Sequence, residues 1–311
     1  MFQGMRYVYE VYREMSFSKA AQKLYISQPS LSAAVKREEA LVGYPIFDRS
    51  TTPIRLTALG REYIRTAEVI MGAEDSFREY LNDLAGLRNG SLSIGGTTLF
   101  ASYVLPPLIS AFTERYPAVH IDLLEASTAE LTGKLLAGTL DLMIDNKSMD
   151  PEVYSSTFFC DEHLLLTVPA RLVQDEALRA KALTADEVRA GAHRRPETPG
   201  VMPSDFPDAP FLLLKPGNDT RTRADVICGA RRFAPRVCLE LDQQVTAYNL
   251  SVYGMGIAFV GDMLIDRVPP DAALLYYRID SPDAVRSINL YRKRSRYLSQ
   301  AVRAFLELSG R

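Results

Sequence analysis

The sequence predicts three consecutive units: a small, mainly helical domain ending in a β-hairpin (residues 1–60), a long helix (61–89) and a two-lobed α/β domain (90–311). Three observations lead to this division. Apolar residues recur at helical spacing near the N-terminus, no proline interrupts residues 58–87, and strand-like and helical segments alternate beyond residue 90. A chain of 311 residues is also long for a single core.

The charge is unevenly distributed along the chain. Residues 1–60 contain eight Lys or Arg and five Asp or Glu, a net charge of +3; since the whole chain carries −2, the other 251 residues carry −5. A basic head on an acidic body is typical of a nucleic-acid-binding domain joined to one that need not touch nucleic acid. A surplus this small also occurs on surface patches without a function.

Cysteine usage and hydropathy predict a cytoplasmic protein without a membrane partner. Cys160, Cys228 and Cys238 have no paired spacing, which favours a reduced compartment over a disulfide framework. No apolar run reaches the roughly 20 residues of a membrane span, and the N-terminus lacks the apolar segment of a signal peptide.

Two short helices are expected after a first helix over residues 6–15. The second runs over residues 18–24 with Ser18 as its N-cap, and the third begins after Ser27 with Pro29 in its first turn. The buried stripe predicted for the third helix consists of Leu31, Ala34, Val35 and Val42.

The third helix directs short polar side chains outward near its start. This layout is typical of helix-turn-helix proteins, in which the second helix of the pair enters the major groove of DNA. Gln28 can bond an adenine edge, and Ser30 and Ser32 can reach base or phosphate oxygens. An ordinary three-helix unit with a polar capped end would show the same spacing.

A small hairpin, or wing, is predicted from two β-prone pieces, residues 45–47 and 54–56, joined by a turn-rich segment. Arg49 and Arg55 flank it and can meet DNA phosphates, although an isolated Arg is usually only solvated.

Three stretches carry a family resemblance: SFSKAAQKLYISQPSLS at residues 16–32, GYPIFDR at 43–49 and RLTALG at 55–60. Together, at this spacing, they resemble the LysR-type transcriptional regulators. The resemblance implies a winged helix-turn-helix that binds double-stranded DNA, with RNA polymerase as a candidate partner. The residues predicted to contact DNA are Ser27, Gln28, Pro29, Ser30, Ser32, Ala33, Lys36, Arg49 and Arg55.

Three departures from the family pattern concern this DNA-binding unit. Ala33 stands where the family often has a basic residue, and Thr52 and Pro53 occupy a wing tip that is often basic. Glu38 replaces a usually buried leucine, which indicates an altered helix face or a local partner. We expect DNA contacts that differ from the family average.

The long helix carries an apolar stripe along one side. About 45 Å of helix, at 1.5 Å per residue, cannot bury this stripe within a small winged domain, so it needs a partner. The resemblance implies that it pairs two subunits in a dimer or tetramer; packing on its own chain is the alternative. Glu74 interrupts the stripe, and residues 88–90 are expected to end the helix. The stripe consists of Leu59, Tyr63, Ala67, Ile70, Phe77, Leu81 and Leu84.

The remainder of the chain predicts two α/β lobes. Strands at residues 91–96, 120–125 and 141–145 alternate with helices at 102–116 and 129–137, and residues 158–169 cross into a second unit. We assign lobe I to residues 90–161 and 267–311, and lobe II to residues 162–266. The resemblance implies a domain like the periplasmic binding proteins, with a small-molecule effector between the lobes and no cofactor.

Hydroxyl and amide side chains at the ends of predicted strands and starts of helices mark the candidate cleft. Helix N-termini favour anions, so a carboxylate is the expected class of effector. Helix capping alone would also explain each threonine. The candidates are Thr97, Thr98, Leu99, Thr128, Asn146, Asn218, Asp219, Thr220 and Thr246.

Other signals indicate no further chemistry. Gly254 and Gly256 follow a helix rather than a strand, so they predict a helix C-cap and not a nucleotide loop. His120, His163 and His193 lack zinc-ligand spacing, and no catalytic triad is evident. Residues 196–210 predict a surface loop able to cover the cleft.

The leading hypothesis is therefore a non-enzymatic DNA-binding regulator controlled by a ligand. The alternatives are a DNA-binding protein whose α/β domain is an enzyme, or one whose α/β domain is empty and vestigial.

Overall fold

The computed structural model describes residues 2–51, 53–84 and 90–310. The N-terminal domain contains helices α1 (Phe2–Glu14), α2 (Phe17–Lys23) and α3 (Gln28–Val42), followed by the antiparallel hairpin of β1 (Phe47–Asp48) and β2 (Arg55–Leu56). The apolar faces of these elements meet in one core. Its buried members are Val8, Val11, Ala20, Ala21, Leu31, Val35, Ile46, Phe47 and Ile64.

Helix capping in this domain differs from the prediction in one place. Ser27 caps α3 as expected, accepting a bond from the backbone N–H of Ser30 at 3.2 Å. Ser18 does not cap α2: the helix begins at Phe17, and the hydroxyl of Ser16 accepts the backbone N–H of Lys19. The preceding serine is the one whose extended backbone suits an N-cap.

The buried face of α3 also differs from the prediction. Leu31, Ala34 and Val35 are buried as expected, but Val42 is only half-buried and Glu38 takes the fourth buried position. The helix ends at Gly43, whose φ of 83° lies in the left-handed region that favours glycine.

Helix α4 (Ala58–Leu84) leaves the N-terminal domain and runs along lobe I. Near its start Ile64 is buried in the core of the N-terminal domain. Farther along, Gly72 packs against the backbone of Ala137 and Gly138, and a side chain at this position would clash. Arg88 and Asn89, expected to end the helix, lie outside the described residues.

Lobe I contains β3 (Ser91–Gly96), α5 (Leu105–Arg115), β4 (His120–Glu125), α6 (Thr128–Ala137) and β5 (Leu142–Asp145). Strand β3 lies between β4 and β5 and is parallel to both, as predicted. The helix expected over residues 102–116 instead starts with a wide turn, Phe100–Val104, in which Leu105 donates to the carbonyl of Phe100.

Two strands cross between the lobes. The predicted crossing segment is one continuous strand, β6 (Tyr154–Pro169), and β11 (Val285–Lys293) pairs with it in the antiparallel direction. Strand β11 also pairs with β5, which completes lobe I, and α12 (Gln300–Ser309) packs on this lobe.

Lobe II is built on the second half of β6. Its short helices are α7 (Glu176–Arg179), α8 (Ala185–Arg189) and α11 (Asp262–Ile265), and its longer helices are α9 (Asp219–Ala230) and α10 (Gln244–Val252). Its further strands are β7 (Pro210–Leu214), β8 (Arg236–Leu241), β9 (Ile257–Gly261) and β10 (Leu274–Arg278). Strand β7 is parallel to β8 and β9, while β9 and β10 flank β6 in the antiparallel direction.

The predicted lobe boundary at residue 267 is wrong. Strand β10 pairs with residues 165–169 of β6, and Tyr276 and Tyr277 are fully buried in lobe II. The chain therefore returns to lobe I only after Arg278, because β10 supplies apolar surface that the core of lobe II needs.

Residues 196–210 do not form a surface loop over the cleft. Val201, Met202 and Phe206 are buried in a lobe II core cluster, because the apolar side chains of this Pro-rich segment outweigh its turn-forming residues. At Gly254, by contrast, the predicted helix C-cap is present, with a φ of 79° after α10. Among the described residues, no helix combines the length and apolarity of a membrane span.

Candidate functional site

The exposed start of α3 brings together most of the predicted DNA-contacting side chains. Ser27, Gln28, Pro29 and Ser30 are exposed on its first turn. The hydroxyls of Ser27 and Ser30 also bond each other at 2.7 Å. Gln28 has the longest side chain among these exposed residues, and it can reach a base edge.

One turn farther, Ala33 and Lys36 are exposed on the same helix and Ser32 is half-buried. Tyr25 was not predicted as part of this surface. It lies in the turn between α2 and α3, with 96% of its surface exposed and a φ of 54°. Such a backbone conformation is uncommon for a residue other than glycine, and no pattern in the sequence indicates it.

Arg49 is held by the protein itself rather than left free on the wing. Its guanidinium donates to Glu39 at 2.9 Å and to Ser32 at 3.3 Å, and it lies 4.7 Å from the centre of the Phe17 ring. Glu39 also accepts the backbone N–H groups of Ile46 and Phe47. These contacts fasten the hairpin to α3, so Arg49 positions the wing whether or not it also meets DNA.

Arg55 and Pro53 are exposed on the hairpin, while Thr52 at its tip lies outside the described residues. Arg55 is on β2, opposite Asp48 of β1, and its exposed side chain is a candidate for a phosphate contact.

Glu38 has the local partner that its position suggested. It is 6% exposed and accepts a hydrogen bond of 2.8 Å from the hydroxyl of Tyr63 on α4. Gly4 on α1 makes room for it, since a side chain there would overlap the Glu38 carboxylate. The replacement therefore changes how α3 is joined to α4, while the face of α3 that is directed to solvent is unaffected.

Part of the α4 stripe remains uncovered in the single chain. Ala67 is fully buried, and Tyr63 and Ile70 are half-buried. Among the stripe residues whose side chains the structure describes, the alternative of packing on the same chain thus holds for these three. Large apolar side chains on α4 are exposed at Leu59, Val69, Phe77, Tyr80 and Leu81.

A cleft of about 310 Å³ lies between the lobes. The first residues of three helices line it, namely α6, α9 and α10. The first backbone N–H groups of a helix have no acceptor within the helix and carry a partial positive charge. Three such helix N-termini at one cleft favour an anionic group.

Seven of the nine predicted effector residues line this cleft. They are Thr97, Leu99, Thr128, Asn146, Asn218, Asp219 and Thr220. Two predicted side chains are not among the lining residues. Thr98 bonds Glu125 at 2.5 Å on the neighbouring strand, and Thr246 is exposed on α10.

Helix capping does not explain the hydroxyls of Thr128, which is half-buried, and of Thr220, which is buried, at the cleft. Ser127 caps α6 and Asn218 caps α9. Thr128 instead donates to Asp145 at 2.8 Å, and Thr220 accepts bonds from Gln244 and Arg286 at 2.8 and 2.9 Å.

Apart from Asp219, the charged lining was not predicted. Asp145 lies at the carboxyl end of β5, a position where α/β proteins commonly bind ligands, and this signal was available in the sequence. It is almost fully buried, and burial raises its pKa above the ordinary value, against the hydrogen bonds from Lys147 and Thr128. The other charged lining residues are Lys147, Lys215, Asp219 and Asp242.

Arg286 connects the crossing strands to a helix that begins at the cleft. This fully buried cation on β11 bonds Glu162 on β6 at 2.7 Å and Asp219 on α9 at 2.8 Å. Its guanidinium therefore links β11, the strand that carries it, to β6 and to the start of α9, a helix that lines the cleft. Sequence reasoning missed it because these residues are far apart in the chain.

Two family models match successive parts of the chain. A family model described as "Bacterial regulatory helix-turn-helix protein, lysR family" matches residues 2–61. A second, described as "LysR substrate binding domain", matches residues 85–311.

Two curated relatives are transcriptional regulators. The uncharacterized HTH-type transcriptional regulator YcgK of Bacillus subtilis (strain 168) is 33% identical over 311 residues, which covers 98% of this chain and 92% of the relative. The HTH-type transcriptional regulator CfxR of Cupriavidus necator is 28% identical over 251 residues, covering 80% and 72%.

Solved structures share the fold over nearly the whole chain. A full-length OxyR variant from Pseudomonas aeruginosa has a TM-score of 0.74 at 21% identity, covering 99% of this chain and 94% of its own. Full-length CbnR in complex with its target DNA has a TM-score of 0.65 at 18% identity, covering 99% and 98%. With both domain models matched in order and a regulator aligned end to end, the chain belongs to the LysR family of bacterial transcriptional regulators.

Proposed function

We propose that this regulator binds DNA through the start of α3 and the wing, and that a small carboxylate bound between the lobes controls it. The observation that carries the ligand class is the convergence of the α6, α9 and α10 N-termini on one cleft. Lys147 at the same cleft adds positive charge, whereas Lys215 is paired with Asp242 at 2.8 Å.

The lining also constrains the rest of the ligand. Asp145, Asp219 and Asp242 present acceptors beside the helix N-termini. A carboxylate that also carries a hydroxyl or ammonium group satisfies both kinds of lining. The cavity lies at the lower end of the roughly 300–1,000 Å³ range of small-molecule sites, which favours a small metabolite.

The proposed association of two chains rests on the exposed apolar face of α4. Leu59, Val69, Phe77 and Leu81 expose apolar surface along one long helix, and burying such surface stabilises association. We propose that two chains pair through this face, which presents two DNA-binding domains to two half-sites. A tetramer, contact with RNA polymerase and a cytoplasmic location are further parts of the same proposal.

A ligand screen tests the proposal for the cleft. Small carboxylates with and without hydroxyl or ammonium groups should include one that raises the melting temperature, because a ligand that binds the folded state stabilises it. Neutral amides of the same compounds should not.

Calorimetry with two adjacent variants then locates the site. Thr97→Val removes a hydroxyl that lines the cleft, and we expect it to lower the affinity about tenfold, as for a hydrogen bond to a charged group. Thr98→Val, the matched control, should retain it. Equal affinities in both variants, or no active carboxylate, would contradict the assignment.

The same screen separates binding from catalysis. We propose that the ligand is released unchanged; chemical conversion of the ligand during incubation with the protein would favour the alternative in which the α/β domain is an enzyme.

A further inference from the structure

Three polar side chains converge in lobe II at a place that does not overlap the interlobe cleft. His163 lies on crossing strand β6, His193 lies in the loop after α8, and Asp262 is the first residue of α11. One ligand atom of each lies within 4.8 Å of the others. The sequence spacing gave no sign of this group, since the three residues come from distant segments.

The distances suit a shared ion. Nε2 of His193 lies 2.9 Å and Nδ1 of His163 3.5 Å from Oδ2 of Asp262. In a tetrahedral zinc site with bonds of about 2.0–2.1 Å, neighbouring ligand atoms are about 3.3 Å apart. The two separations from Asp262 bracket that value, and the two histidine nitrogens lie within 4.8 Å of each other, so modest side-chain shifts would admit an ion.

The carboxylate is buried and held in a fixed orientation. Asp262 is fully buried, and a backbone N–H bond of 3.1 Å from His163 fixes its other oxygen. Its Oδ2 lies 2.9 Å from Nε2 of His193 and accepts a hydrogen bond of 2.7 Å from Arg194. A buried anion with a fixed orientation is a strong ligand for a cation.

The two imidazoles are incompletely satisfied. Within the part of the chain that the structure describes, Nδ1 of His163 and Nδ1 of His193 are buried and have no hydrogen-bond partner. His193 is almost entirely buried, with 1% of its side chain exposed. Burying a polar nitrogen without a partner is costly, and coordination of Nδ1 of His163 would remove one such cost.

We propose that His163, His193 and Asp262 bind a divalent transition-metal ion of the zinc type. Two imidazoles and a carboxylate are donors that suit zinc and its neighbours better than magnesium or calcium. A cavity of about 370 Å³ lined by His163 and His193 gives the ion access and space for a water ligand.

Arg194 occupies the ion's place in the structure. Its guanidinium lies 2.7 Å from the same Oδ2 of Asp262, and 49% of its side chain is exposed. The arginine can therefore turn into solvent when an ion binds. The competing explanation is that Arg194 and His193 simply neutralise a buried aspartate, with no ion involved.

Arg194 also distinguishes a metal site from neutralisation of Asp262 without an ion, in which case no metal binds, and from a site for an anion. If a metal ion binds, removing the competing cation should strengthen binding. If the cavity instead takes an anion, removing Arg194 should weaken binding, because a positive partner is lost.

The test uses untagged full-length protein that has been treated with a chelator and dialysed. Zn²⁺ is titrated by calorimetry, and Co²⁺ is added in parallel because its visible spectrum reports the coordinating atoms. We expect one ion per chain. His163→Gln and His193→Gln should each weaken Zn²⁺ binding by more than about tenfold, since even outer-shell partners are worth about 10–100-fold.

Two further variants serve as controls. His120→Gln alters the chain's remaining histidine, which is exposed on β4, and should leave Zn²⁺ binding unchanged. Arg194→Ala should tighten Zn²⁺ binding, a gain that misfolding cannot produce. Absence of Zn²⁺ binding to the wild-type protein, binding that survives both histidine variants, or weaker binding in Arg194→Ala would each overturn the proposal.

Discussion

The hydroxyl of Tyr63 donates a 2.8 Å hydrogen bond to Oε1 of Glu38, and this bond joins α3 to α4. Burial, together with the bond to Glu38, raises the pKa of Tyr63, so its hydroxyl remains a donor at neutral pH. The helix at the DNA-binding surface and the helix that leads to the effector domain are thus connected by a buried polar pair.

Loss of this donor should destabilise the N-terminal domain. Tyr63→Phe leaves the buried Glu38 carboxylate without its partner, and we expect a cost of about 1–3 kcal/mol. The melting temperature should fall, whereas Tyr44→Phe, at an exposed tyrosine, should leave it unchanged. Adding Glu38→Leu to Tyr63→Phe should recover stability; a double variant less stable than either single one would argue against this account.

The two wing arginines should have different effects. Arg55→Ala removes an exposed cation, so we expect weaker binding to all DNA sequences and a salt dependence shallower by about one unit of slope. Arg49→Ala breaks contacts to Glu39 and Phe17, and should in addition lower the melting temperature. DNA affinity measured across a salt series, with melting curves, checks both. Identical behaviour of the two variants would show that Arg49 has no bracing role.

The exposed face of α4 should mediate association. Phe77 is 62% exposed in the single chain, and Phe77→Asp would place a charge in a dimer interface formed there. We expect sedimentation velocity to show a shift toward monomer and DNA affinity to fall. Val226→Asp, at an exposed apolar residue on α9, is the control. An unchanged oligomer in Phe77→Asp would exclude this face.

Asp145 should make stability depend on pH in a definite direction. Burial raises its pKa in the folded state, so between the ordinary value of 3.8 and the raised one the folded protein binds the proton more tightly than the unfolded chain does. Its contribution to stability is therefore lost as the pH rises through that window.

Asp145→Asn lacks this titration. Its melting temperature relative to that of wild type should increase as the pH rises from about 4 toward neutrality. Asp122→Asn, at an exposed carboxylate of the same lobe, should show no such trend. A difference between Asp145→Asn and wild type that is constant with pH would contradict the role of burial.

The local sequence determined the helices and strands, and much of the DNA-binding surface and of the cleft lining. Ser27 and Pro29 define the start of α3 because capping and the first-turn geometry depend only on neighbouring residues. The strands and helix starts that line the cleft were predicted for the same reason. The threonines and asparagines of the cleft lie at strand ends and helix starts, where the chain has to turn.

The tertiary structure determined the contacts between residues that are far apart in the sequence. It assigned β10 to lobe II, bound Glu38 to Tyr63 and Arg49 to Glu39, and brought His163, His193 and Asp262 together. Burial, hydrogen-bond partners and ion pairing depend on which segments pack together, and periodicity along the chain carries no information about that. The sequence by itself therefore specified a DNA-binding head and an α/β body, and only packing determined which side chains are available to ligand, ion or DNA.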